Sequence, residues 1–169
     1  MKPISFRNDI LPLKDKLFRL ALRITLNPAE AEDVVQETML KVWARRESWD
    51  TIENIEVFCL AICRNLAIDK TRHAATQTLS LDNEMEPSDE SHHANPEAQA
   101  VQRDRIQLVR RLMDQLPEKQ RSCMQLREME GKSYKDIAAI LSITEEQVKV
   151  KIFRARQAIR EQFKKADSQ

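Results

Sequence analysis

Three groups of residues in this 169-residue chain have types and spacings that bear on chemistry. Cys59 and Cys63 stand four apart on one helix face. No histidine or third cysteine lies at the spacing a metal site needs, so they read as small buried apolar side chains and no metal is expected. Asp33, Gln36 and Glu37 form a compact acidic patch beside Leu40, able to dock a basic partner or simply to face water. Lys149, Lys151, Arg154 and Arg156 surround Phe153 on one short segment, a mixture suited to a polyanion. The single glycine, Gly131, excludes a glycine-rich phosphate loop. No Ser/His/Asp set is evident either. The expected chemistry is therefore recognition; no catalytic residues and no cofactor are expected.

The elements that carry these groups are helices. Leu, Ala, Glu, Lys, Arg and Gln dominate, and no long run alternates apolar with polar. Helix starts are marked by Asn27-Pro28-Ala29-Glu30, by Asn95-Pro96-Glu97, and by Pro117 after Leu116. Gly131 suits a left-handed cap after residues 127–130. Ser133-Tyr134-Lys135-Asp136 opens one further helix, with Ile137, Ala138 and Leu141 as its apolar face. Ser142-Ile143 breaks it, with Ile143 filling the corner, and Thr144-Glu145-Glu146-Gln147 opens another with a capping box. Two helices joined by a three- to four-residue turn make a helix-turn-helix over about residues 117–163.

On a helical wheel Val148, Ile152, Ala155 and Ile159 fall within about 60° of one another and should face the core. Gln147, Lys149, Val150, Phe153, Arg154 and Gln157 take the opposite side. An aromatic ring among cations there can touch thymine methyls or sugars, while Lys149, Lys151, Arg154 and Arg156 reach phosphates or base edges. Glu145 and Glu146 serve the helix dipole, or one accepts from a cytosine amine. By itself the motif also fits a dimeric repressor on a palindromic site, or an adaptor whose basic helix meets an acidic protein.

Charge divides the chain. Residues 73–95 hold five acids and no Lys or Arg, whereas residues 116–169 hold 12 basic against 8 acidic residues. The architecture expected is all-α: a helical domain at 1–72, a flexible acidic linker at 73–95, and a helix-turn-helix domain at 96–169. There is no apolar run for a membrane span and no secretory signal core at the N-terminus. The odd count of three cysteines also argues against a disulfide-stapled secreted protein. A cytoplasmic location is expected, without membrane insertion.

Four segments in order, AEDVVQE, RNLAIDKTR, LPEKQR and QVKVKIFRAR, resemble an extracytoplasmic-function (ECF) sigma factor. This compact class of bacterial initiation factors is a promoter-specificity subunit, not an enzyme. The resemblance covers nearly the whole chain outside the linker. It implies a first domain that binds the clamp helices of core RNA polymerase through Asp33, Gln36, Glu37 and Leu40. That domain would open the −10 element with residues 49–56 and the helix at 58–72, where a flipped base and a single strand are held. Trp49, Asn54, Arg64, Asn65, Lys70 and Arg72 are the candidates; for Trp49, core packing and strand stacking both remain open. The second domain would read duplex −35 DNA with Gln147, Lys149, Val150, Lys151, Phe153 and Arg154. Lys132, Ser133, Lys135, Thr144 and Arg156 would hold its phosphates. The linker would pass near the RNA exit path, and the polymerase flap and an anti-sigma factor are further implied partners of a factor that is monomeric in the holoenzyme.

Overall fold

The computed structural model describes residues 3–78 and 97–167. No strand occurs among them, and no helix is long and apolar enough to cross a membrane. Most of the acidic stretch, and the Asn95-Pro96 helix start, lie outside the described residues.

The chain enters through a short π turn, Phe6–Ile10, capped by Ser5, and a 3-10 turn, Leu11–Leu13. α1 (Lys14–Thr25) ends where Leu26 takes a left-handed conformation, φ 58°, and its N–H donates to the Leu22 carbonyl. α2 (Pro28–Ala44) starts as the sequence predicts, with the Asn27 side chain accepting from the N–H groups of Ala29 and Glu30. Ala31, Val34, Val35, Thr38 and Val42 of α2 are buried. A 3-10 turn, Arg46–Thr51, leads to α3 (Ile55–Thr78). The Asn54 side chain accepts from the Val57 N–H at 3.1 Å and caps its start. α3 runs past Arg72, where the composition changes, because Ala74, Ala75 and Gln77 propagate a helix well. α1, α2 and α3 pack on one another as a bundle.

The second unit begins with α4 (Glu97–Asp114), and after Pro117 comes α5 (Glu118–Met124), which widens into a π turn, Gln125–Met129. Gly131 has φ 66°, the left-handed cap its position predicts. α6 (Tyr134–Leu141) is capped by Ser133 and stopped by left-handed Ser142. α7 (Glu145–Asp167) completes the helix-turn-helix. Its capping box is reciprocal: the Thr144 N–H donates to Gln147 Oε1 at 2.9 Å, and the Gln147 N–H donates to Thr144 Oγ1 at 3.1 Å. Half-buried Ile143 packs at the corner, and Val148, Ile152 and Ala155 enter the core. Thr144→Ala should lower stability by about 1 kcal/mol, read as a lower urea midpoint at unchanged slope; an unchanged midpoint would mean the cap contributes nothing.

The two units share one buried core, with α6 against α3 and α5 against α1. Arg121 lies in the seam. Its guanidinium donates to the carbonyls of Leu116 at 3.0 Å and Asp114 at 3.2 Å, and across the seam to Ile24 at 3.3 Å. Ile24 sits in the last turn of α1, whose carbonyls the helix leaves open. Burial pushes the Arg121 pKa down, against the pull of Asp114 and Glu118.

Candidate nucleic-acid and partner interfaces

The outer face of α7 follows from the wheel. Turning Val148 and Ile152 inward brings Gln147, Lys149, Val150, Phe153 and Arg154 to the surface, while Lys151 is half-buried. Phe153 is 68 % exposed and Val150 45 %. An apolar ring left this open among cations is costly to solvate and has no packing role in the chain itself. Beside it Tyr134 lies under two cations, with the Arg127 guanidinium 4.3 Å and the Lys149 ammonium 5.7 Å from its ring centre. Tyr134, Lys149, Phe153, Arg156 and Arg160 line a cleft of about 490 Å³ there. The sequence reading missed Tyr134, whose only signal was an aromatic in the first turn of the helix preceding the basic one.

The flanking phosphate candidates are already engaged. Ser133 Oγ accepts from the Asp136 N–H, Arg156 pairs with Glu128, and Lys132 pairs with Glu56 of the first unit. Thr144 serves the cap, and Lys135 is exposed.

On the first unit the six strand candidates are not gathered in one cluster. Asn54 caps α3, and Lys70 reaches Asp33 of α2 at 3.5 Å. Asn65 faces a polar cleft of about 480 Å³ with Lys41 and Arg45, and Arg72 is exposed. Arg64 is held by Glu118 of α5, with Nη2 at 3.1 Å and Nε at 3.4 Å from its carboxylate. Trp49 is buried, and its indole N–H donates to the Val42 carbonyl at 2.9 Å. Of the two readings left open for Trp49, the structure places it in core packing.

On α2, Asp33, Gln36, Glu37 and Leu40 are all exposed, Leu40 at 68 %. Leu40 forms the wall of an apolar groove of about 620 Å³ with Phe6, Leu11, Val35, Met39 and Trp43, while Gln36 and Lys14 stand at its edge. The sequence reading assigns Trp43 to the core; the structure corrects this. Val42 holds the inward position, and one residue on, about 100° round the helix, Trp43 emerges half-exposed. It stacks edge-on against Phe6 at 5.6 Å and Trp49 at 6.0 Å, with the Arg46 guanidinium 4.9 Å from its ring. A second apolar stripe, Val35, Met39, Leu40 and Trp43, was present in the sequence beside the inner one. What it lacked was the far wall, Phe6 and Leu11, brought over by the N-terminal turns.

Cys59, Cys63 and Cys123 are free and buried. Burial pushes the first two thiols up to about 12 and Cys123 up to about 11. Nucleophilic chemistry at these thiols is thereby suppressed.

This two-unit organisation has counterparts among known proteins. Residues 10–76 match the Sigma-70 region 2 family, and residues 106–159 match Sigma-70, region 4. The chain is 32 % identical over 145 residues to the ECF RNA polymerase sigma factor SigL of Mycobacterium tuberculosis, covering 85 % of this chain and 80 % of that one. It is 33 % identical over 163 residues to the RNA polymerase sigma-H factor of Pseudomonas aeruginosa, covering 89 % and 83 %. In three dimensions it resembles the sigma factor RpoE of Bartonella quintana, solved with the anti-sigma factor NepR. That match has a TM-score of 0.76 at 25 % identity and covers 94 % of this chain and 96 % of that one. CnrH, solved with the cytosolic domain of CnrY, shares the fold with a TM-score of 0.65 at 18 % identity, over 92 % of this chain and 84 % of that one. A region 2 bundle followed by a region 4 helix-turn-helix, with relatives of this length and identity, makes the chain a member of the ECF RNA polymerase sigma factors, which act in transcription initiation.

Proposed function

We propose that this sigma factor divides promoter recognition between its two units. α7 lies in the major groove of the −35 element. Val150 and Phe153 contact thymine methyls and sugars there, while Lys149 and Arg154 donate to base edges or phosphates. Lys132, Ser133, Lys135 and Arg156 hold the flanking backbone. The first unit takes the −10 strand, with Arg64, Asn65, Lys70 and Arg72 as its polar and basic contacts. Trp49 supports that surface from beneath. The apolar groove edged by Gln36 and Leu40, with Asp33 and Glu37 beside it, takes the clamp helices of core polymerase: an apolar bed with acids at its margin suits an amphipathic basic helix.

The observation that carries this reading is the exposed Phe153 and Val150 among cations on the second helix of a helix-turn-helix. A sequestering anti-sigma factor is proposed by analogy with the Bartonella factor, which was solved with one. The decisive experiment is run-off transcription with purified bacterial core polymerase on a promoter mapped after overexpression. Promoter-specific transcript above core alone is expected, and none would overturn the proposal. A stable free dimer that shifts a palindromic duplex without polymerase would favour the repressor reading instead.

A further inference from the structure

The seam between the two units is not a neutral contact. The first unit offers Arg19 and Arg23 from α1 and Arg64 from α3. The second meets each with an acid, Glu130, Asp114 and Glu118. Arg19 is bidentate on Glu130 at 2.6 and 3.0 Å, and Arg23 reaches Asp114 at 2.8 Å. A fourth pair reverses the signs. Lys132, in the turn before α6, pairs with Glu56 of α3, to which Lys16 of α1 also donates at 3.0 Å.

These are not ordinary surface bridges. The Glu130 side chain is 2 % exposed, and those of Arg23, Arg64 and Lys132 are 13–14 %. Charges this far out of water require their partners, because a lone one would be strongly disfavoured. Two of the groups respond accordingly. The hydrogen bond to Glu130 raises the Arg19 pKa, and for Glu56 the pull of Lys132 and Lys16 outweighs burial, leaving its carboxyl below the usual range.

We propose that the free chain rests in a closed state, in which the helix-turn-helix unit is clamped onto α1 and α3 by these four ion pairs and thereby occupies Arg64. The closed state is asymmetric. It leaves the outer face of α7 exposed but ties a principal strand contact to Glu118. Opening exchanges the Glu118 carboxylate on Arg64 for a phosphodiester, one bidentate anion for another. Nucleic acid can therefore compete for the residue that helps hold the chain shut. The clamp stands on the contacts alone; its consequence for strand binding rests on the −10 role proposed above for Arg64.

The test uses the full chain carrying a fluorescence donor and acceptor at Glu47→Cys and Glu161→Cys, both exposed positions. The native thiols, buried and with raised pKa values, react slowly under the same conditions. Glu130→Arg should lower energy transfer and increase the hydrodynamic radius at unchanged helix content. Arg19→Glu combined with Glu130→Arg should restore both, because the pair is re-formed with reversed charge. Arg19→Glu alone opens the chain from the half-exposed side, should Glu130→Arg fail to fold. A fluorescein-labelled oligothymidine 20-mer should bind the opened variant several-fold more tightly than the parent. Transfer that no single substitution lowers, or that the charge swap does not restore, overturns the clamp. Reclosure by the swap with no change in oligonucleotide binding would uphold the clamp and remove Arg64 from the −10 contacts.

Discussion

Lys149→Ala combined with Arg154→Ala is expected to reduce binding to −35 duplex, and promoter-specific run-off with it, by at least about thirtyfold. A good side-chain pairing to a base edge is worth roughly 1–3 kcal/mol of discrimination, and every 1.4 kcal/mol is about a factor of ten. Both side chains are exposed, so neither substitution opens a cavity in the core. Lys149 loses only its distant cation contact to Tyr134, 5.7 Å from the ring centre. Thermal stability should therefore stay within about 0.5 kcal/mol of the parent. That combination separates recognition from folding. Transcript lost at an unchanged melting temperature supports the reading face. Transcript retained in full would mean that α7 does not read DNA, and would favour the adaptor, whose basic helix meets an acidic protein.

The second large effect is expected at the apolar groove on α2. Leu40→Asp with Trp43→Ala should weaken binding to core polymerase by at least about thirtyfold in a competition assay against the parent. Aromatic anchors in desolvated pockets commonly carry 2 kcal/mol or more of an interface, and a carboxylate facing an apolar partner surface adds a desolvation cost. Leu40 is the more selective position, since it is 68 % exposed and supports nothing inside the bundle. Trp43 also holds Phe6 and Trp49 edge-on, so its loss should lower stability as well. Leu40→Asp alone therefore tells the two effects apart. If it binds core as tightly as the parent does, the groove is not the clamp-helix site, whatever the double variant shows.

The helix-turn-helix was legible residue by residue because its determinants are local. Ser133, Thr144 and Gln147 satisfy backbone groups within three residues of themselves, and Gly131 supplies a left-handed turn that needs no distant partner. The inward stripe of α7 follows from the helical period alone. Trp43 was misplaced for the opposite reason. An aromatic next to buried Val42 reads as core until the position of the neighbouring helix is known, and whether it is covered depends on where Phe6 and Leu11 fold back. Trp49 was undecidable for the same reason, since its burial rests on a hydrogen bond to Val42 across a turn.

By itself, then, the sequence determined the helical content, the caps, the two-unit order and the face of α7 that turns outward. Those properties rest on period and on contacts between near neighbours in the chain. Only the tertiary structure decided which charged residues meet. Arg19 finds Glu130 across 111 residues, and Arg64 finds Glu118 across 54. No periodicity encodes such pairs, because an Arg facing water and an Arg facing a distant carboxylate look alike on a helical wheel. The helix-turn-helix was written in local chemistry. Its clamp onto the unit before it came from packing two amphipathic bundles into one core, which brought their charged margins into contact.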